Sequence, residues 1–345
     1  MRIARDAGEQ EGTTAVASFI PRLTVLAAAS TWALIGALSP ASAAPCSATF
    51  GAGFAGSYTC TSLGSPANVE PSLGGLTFLN SDTLLIGGNA NGPAGDIKQI
   101  GVTRDGNGHI TGFSGSATSY ASAPNIDGGL SFGPNGVLFY TTYSNNTIGQ
   151  IKLGSTAADR VISLGSLSPS VAASVGTLAF VPTGFNGAGQ LKIASYSAGF
   201  WYSATLTGDG NGTFDMTIGA SSIVLNGGPE GIVYVDGGNA GFGGSDSVLI
   251  SEYGSGAVAA YQIDSNGDPM TGTRQVFLSG LTGAEGAVID PLTGDFLFST
   301  FGGGNQVLVV SGFTVPVIAA PEPMTLALLG TAAIGLGIVR RRRPA

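Results

Sequence analysis

One short pattern occurs five times along this 345-residue chain. It reads Gly75-Leu76-Thr77-Phe78, then Gly129-Leu130-Ser131-Phe132, Thr177-Leu178-Ala179-Phe180, Gly231-Ile232-Val233-Tyr234 and Gly286-Ala287-Val288-Ile289. Its last positions, Phe78, Phe132, Phe180, Tyr234 and Ile289, stand 54, 48, 54 and 55 residues apart. Each copy continues alike. A second apolar run follows at 83–87, 137–142, 191–196, 248–251 and 296–299, and a third at 96–102, 147–153, 200–206, 257–263 and 306–310. In the first two copies the third runs are a close match, Asp96-Ile97-Lys98-Gln99-Ile100 against Thr147-Ile148-Gly149-Gln150-Ile151. Four copies add a fourth run, at 109–114, 160–164, 213–218 and 274–278; the fifth stops after three.

Short apolar runs separated by Gly, Asn, Asp and Ser are the pattern of an all-β chain. Four strands per unit at a period near 50 describe a β-propeller blade. The sequence therefore predicts a five-bladed β-propeller over residues 44–319. The run at 57–63, ahead of the first copy, supplies the strand that the fifth lacks, so the N-terminus closes the ring and no sheet edge is left open. Six blades are the alternative, with a degenerate blade within 46–72. A β-helix also tolerates this much glycine, but its repeat is about half as long. Glycine, 57 residues of 345, suits hairpin tips that need positive φ. Of the two cysteines, Cys60 lies on the closing strand and Cys46 shortly before it. A bridge between them closes a loop of about 15 residues, worth roughly 3 kcal/mol, and pins the start of the chain beside the seam. Neither has a histidine near it in sequence, which argues against a catalytic thiol.

The two ends carry addresses. Residues 1–22 are polar, with Arg2, Arg5 and Arg22; residues 23–38 are apolar, and Ala41-Ser42-Ala43 supplies an A-x-A exit. This predicts a helical signal peptide over 1–43, handled by the Sec export machinery and cut after Ala43, and it places the cysteines where disulfides form. The other end reads Pro321-Glu322-Pro323, an apolar run over 324–339, then Arg340, Arg341, Arg342 and Arg343. Sixteen apolar residues barely span a bilayer as a helix, and the arginines hold that side in the cytoplasm. Residues 320–345 resemble the PEP-CTERM sorting signal of Gram-negative bacteria. The resemblance implies recognition by an exosortase, a transient inner-membrane anchor through the C-terminal transmembrane helix, and release to the cell surface or the extracellular matrix beside exopolysaccharide. A plain membrane anchor is the alternative.

Charge excludes one class of partner. Only 10% of residues are charged, and between Ala44 and Ala319 six basic residues face seventeen acidic ones, a balance of −11. A nucleic-acid binder needs a basic face, so no nucleic-acid partner is expected.

Three places carry candidate chemistry. The runs Asp105-Gly106-Asn107-Gly108, Asp209-Gly210-Asn211-Gly212 and Asp264-Ser265-Asn266-Gly267-Asp268 have the alternating oxygens of a calcium loop and equally the residues of a hairpin turn. Asp264, Asn266 and Asp268 form the best calcium candidate of the three. The entries to the inner strands hold Asp127, Glu230 and Glu285. These face one mouth of the central channel, where three carboxylates repel unless a cation, calcium or another divalent ion, sits between them. Glu-Gly at the start of an inner strand resembles the gluconolactonase and NHL-type propellers. The resemblance implies a divalent-metal site at the mouth, although the Asn and Asp ligands that complete that family's set have no counterparts identifiable from the sequence. Thirdly, Phe200-Trp201-Tyr202 either stacks on sugar rings or packs between blades. His109, the single histidine, is expected at an exposed edge, which leaves no His-rich metal site and no Ser-His-Asp triad. The expected function is thus an exported, non-catalytic binding or scaffold propeller, with polysaccharide or matrix proteins as partners. The alternative is a metal-dependent lactonase-like hydrolase.

Overall fold

The computed structural model describes residues 43–314. The signal segment up to residue 42, Pro321-Glu322-Pro323, the apolar run after it and Arg340–Arg343 lie outside the described residues. Among the described residues no helix is long and apolar enough to cross a membrane.

The chain forms five antiparallel sheets around one axis, each counted outward from its inner strand. Blade one is Leu76–Asn80, Thr83–Gly88, Asp96–Arg104 and Ile110–Ser122. Blade two is Ile126–Phe132, Leu138–Thr142, Thr147–Ile151 and Arg160–Ser163. Blade three is Val175–Phe180, Leu191–Ser195, Phe200–Gly208 and Phe214–Ile218, with the short strand Ile223–Val224 also on its third strand. Blade four is Pro229–Val235, Ser247–Glu252, Ala257–Gln262 and Gln275–Ser279. Blade five has Ala284–Ile289, Phe296–Thr300 and Val307–Ser311, and its fourth strand is Thr59–Ser62 from the N-terminus. The closing register sets Val310 opposite Cys60.

The N-terminal segment builds no sixth blade. It forms Ala44–Pro45 outside the closing strand, crosses to lay Thr49–Phe50 on the edge of blade four, and returns. Cys46 and Cys60 are bonded, with Cα atoms 5.5 Å apart. The outer strand of blade one is longer than the run at 109–114 suggests. It extends to Ser122 by slipping register past Gly115, at φ 74°.

Apolar packing explains the runs that do not alternate. A strand inside a blade is covered on both faces, by the blade before and the blade after, so both faces must be apolar. Leu84 packs toward blade five and Leu85 toward blade two; Val248 packs toward blade three and Leu249 toward blade five. The buried side chains accordingly fall into five clusters, one per seam between neighbouring blades. The seam between blades four and five is the most aromatic. Phe54 and Tyr58 of the N-terminal segment meet Phe277, with ring centroids 5.0 and 5.3 Å from it, and Phe242 lies 5.2 Å from Phe54. Each such ring is worth about 2–3 kcal/mol of burial, and this holds the segment across two blades.

Polar groups tie three other seams. Arg104 makes a two-pronged pair with Asp290 of blade five, at 2.6 and 3.1 Å. Gln150 both donates to and accepts from the backbone of Phe214, at 2.8 Å each. Lys192, fully buried, reaches Asp268 of blade four at 2.6 Å.

Candidate functional site

The inner strands begin at one end of the channel, and their first residues are irregular. Pairing with the second strand slips at Pro229/Gly231 in blade four, at Ala284/Ala287 in blade five and at Ile126/Leu130 in blade two. A bulge re-aims the extra residue's side chain. The residues so placed include Glu230, Glu285 and Asp127. The three carboxylates converge, each offering an oxygen within 4.8 Å of the others. Among the described residues they are the only group of three or more His, Cys, Asp or Glu side chains close enough to share an ion.

All three are buried, at 1–3% exposure. Asp127 Oδ2, Glu230 Oε2 and Glu285 Oε2 have no hydrogen-bond partner. Burial pushes the Asp127 carboxyl up to about 8, against the pull of bonds from Glu285, Asn91 and the Gly128 backbone. Burial first, and then the charges of Asp127 and Glu285, raise Glu230 well above the carboxylate range. Glu285 is raised by burial, then by Asp127. No Lys, Arg or His is among the groups that set these values. Such a trio, left to itself at neutral pH, holds protons; a cation among its free oxygens replaces them.

Glycine gives the carboxylates their room. The inner strands press together so closely that a Cβ on Gly128 would stand 2.1 Å from the Glu230 carbonyl oxygen and 2.8 Å from Glu230 Oε2. A Cβ on Gly176 would lie 2.3 Å from the Pro229 carbonyl oxygen. The repeat position that Glu230 and Glu285 hold in blades four and five is glycine in the other three, Gly74, Gly128 and Gly176.

Two further features were not singled out from the sequence. Asn91, in a turn at φ 62° after the second strand of blade one, stands beside Asp127, and its Oδ1 is buried without a partner. The signal was available, since Asn89-Ala90-Asn91-Gly92 is rich in αL-tolerant residues, but nothing in a turn pattern says that it faces an acid. The second feature is a rim. Tyr143, Tyr196, Tyr253 and Phe301 each directly follow the second strand of their blade, at one repeat position. That strand runs antiparallel to the inner one, so its end lies beside the inner strand's start. Tyr196 and Tyr253 meet edge to face at 5.9 Å, and Tyr253 and Phe301 at 6.1 Å. Burial and then the charges of Glu230 and Glu285, respectively, raise the phenols of Tyr196 and Tyr253. The acids thus form a floor below a partly exposed aromatic rim.

The other sequence candidates resolve differently. Asp264, Asn266 and Asp268 do not assemble as a calcium loop. Asp264 Oδ1 accepts the backbone N–H groups of Asn266 and Asp268, at 2.8 and 3.0 Å, while Asp268 turns away to Lys192 and to the indole of Trp201, the latter at 2.7 Å. The Lys192 ammonium bonds Asp268 Oδ1 and the Asn266 carbonyl. Asp105 and Asp209 make the same turns, accepting from Asn107 and His109 and from Asn211 and Thr213. Trp201 and Tyr202 are buried between blades, so they offer no ring face to a sugar. His109 is no free edge residue; its Nδ1 lies 2.7 Å from Asp295 of blade five, and that bond raises its pKa. A separate polar cleft of about 300 Å³ lies against the disulfide, lined by Cys46, Ser62, Thr282 and Gln306 among others, none charged.

No family model matches the sequence, and no curated protein does either. Several solved structures match distantly. An auxiliary nutrient-binding protein from Bacteroides ovatus is 12% identical with a TM-score of 0.41, over 74% of this chain and 76% of that one. A putative 6-phosphogluconolactonase from Bacteroides uniformis is 14% identical at 0.38, over 82% and 80%. A putative gluconolactonase is 12% identical at 0.39, over 66% and 70%.

Proposed function

We propose that this chain is an exported β-propeller that binds its ligand rather than transforming it, and that it takes a cation at the channel mouth. The observation that carries this reading is the convergence of three buried carboxyl groups, each with one oxygen that has no hydrogen-bond partner and none with a basic side chain beside it. Burying charge without a partner is among the costliest things a fold does. Calcium or another divalent ion fits these oxygens, since oxygens around one calcium at about 2.4 Å stand roughly 3.4–4.8 Å apart. Asp127, Glu230 and Glu285 would hold it, with Asn91 Oδ1 as a neutral fourth donor.

The sorting reading belongs to the same proposal. The chain is exported by the Sec route, recognised by an exosortase through Pro321-Glu322-Pro323 and Arg340–Arg343, and delivered to the cell surface or matrix, where polysaccharide or matrix proteins are its partners. The lactonase-like alternative draws on the same mouth, where a divalent ion would polarise a carbonyl. It lacks a base: the one histidine is held in a seam by Asp295, and the acids of the floor are the groups that would carry the ion.

Thermal unfolding of the purified protein, with calcium, magnesium or manganese and with chelator, tests the cation. Binding to the folded state alone raises the midpoint, and Glu230→Gln is expected to remove the rise. A midpoint indifferent to every cation, organic ones included, ends the reading. Hydrolysis of lactones above background, lost in Glu230→Gln, would move the chain to the enzyme alternative.

A further inference from the structure

The floor and the rim together say which cation. We propose that the channel mouth recognises a primary alkylammonium group, carried by an amine-bearing ligand, rather than a bare metal ion. The inference rests on the mouth being a cation site and goes further by naming the occupant.

The number of acceptors is the first argument. A primary ammonium has three N–H donors and no acceptor. With each acceptor about 2.8 Å away in tetrahedral directions, the acceptors stand about 4.6 Å from one another. Three carboxyl groups, each offering an oxygen within 4.8 Å of the others and each keeping one oxygen without a partner, can supply one acceptor per donor. No protein donor competes for those oxygens.

The rim is the second. A hydrated metal ion gains nothing from aromatic walls, whereas an ammonium on an alkyl stem gains twice. Its charge is drawn to the negative ring faces, and its methylenes are buried against the rings. Tyr196, Tyr253 and Phe301 form a continuous edge-to-face series, and Tyr143, at the equivalent position of blade two, is 40% exposed. The same repeat position in blade one is Asn89, so the rim has one polar gap, through which the rest of a ligand has a way out.

Charge is the third. The −11 balance of residues 44–319 draws such a ligand in from a distance and repels anions.

Isothermal titration calorimetry on the purified full chain separates the possibilities. n-Butylammonium is expected to bind one to one. Tetramethylammonium, with the same charge but no N–H donor, is expected to bind at least tenfold more weakly. Glu230→Gln is expected to weaken n-butylammonium tenfold or more. Tyr253→Leu, on the rim and clear of the buried floor, is expected to weaken it threefold or more with the unfolding midpoint kept, so the test survives even if the floor variant folds poorly. Nα-acetyl-lysine methylamide and glucosamine, run in parallel, show by the tighter of the two whether the amine comes from a peptide or an amino sugar. Equal binding of tetramethylammonium overturns the three-donor match. Calcium binding that n-butylammonium neither shares nor displaces overturns the inference while leaving the mouth a cation site. No binding by any cation overturns both.

Discussion

At the scale of single residues, the floor sets how stability responds to pH. Asp127 titrates at 3.8 when unperturbed and at about 8 when folded. The folded chain therefore keeps a proton that the unfolded chain gives up. Its contribution is complete below pH 4 and drains away as pH climbs through 8; Glu230 and Glu285 act in the same direction. Without added cations, the unfolding midpoint of the protein should fall steadily between pH 5 and pH 9, and calorimetric scans across that range measure it. Glu230→Gln removes one buried acid, so it should raise the midpoint at pH 8 and flatten the slope while abolishing cation binding. A variant destabilised at pH 8 would mean that Glu230 has a partner in the fold. The glycines around the floor are equally constrained. Gly128→Ala puts a carbon 2.1 Å from a carbonyl oxygen and should cost about 1–3 kcal/mol in denaturant titrations. Much of this was legible in the sequence. Asp-Gly-Gly, Glu-Gly and Glu-Gly at the entries of three inner strands named the acids and their end of the channel. Asn91 and the rim were not, because a lone Asn in a turn and a Tyr after a strand have many ordinary uses, and only the ring closure brings all five blades to one axis.

At the scale of elements, the seams decide how blades stay together. Arg104 is 12% exposed and Asp290 not at all. Arg104→Ala would leave Asp290 charged and buried beside only Thr293 and the Leu292 amide. Breaking such a pair costs about 3–5 kcal/mol, and urea unfolding at neutral pH should show a loss of that size. The seam from Lys192 to Asp268 likewise joins two blades, and it draws Asp268 out of the Asp264–Asp268 turn. A sequence shows an Asp in a turn and a Lys in a strand 76 residues away; their meeting depends on the angle between neighbouring blades. The strands themselves were easier to find. Their boundaries moved by a residue or two, and only the outer strand of blade one ran well past its expected end. Runs such as Phe296-Leu297-Phe298 are apolar on both faces because both faces are covered, so they stand out even where alternation is lost.

At the scale of the whole molecule, closure is the decisive element. Blade five owns three strands and borrows Thr59–Ser62, so removing residues 44–62 exposes the edge of Val307–Ser311 and the aromatic seam beneath Phe54 and Tyr58. The truncated protein is expected to unfold in two phases, blade five first, where the intact chain unfolds in one; circular dichroism and tyrosine fluorescence followed together would show the split. Cys46→Ser should be milder, near the roughly 3 kcal/mol of a loop this size, because the strand and its rings remain. The borrowed strand also imposes an order of events. Its partner Leu308 stands 246 positions after Ser62 in the chain, so a chain that emerges N-terminus first presents the key long before the lock is made. The two cysteines, only 14 positions apart, need nothing from the rest of the molecule to meet. The stapled N-terminal loop is therefore expected to close before the last blade that receives it is made.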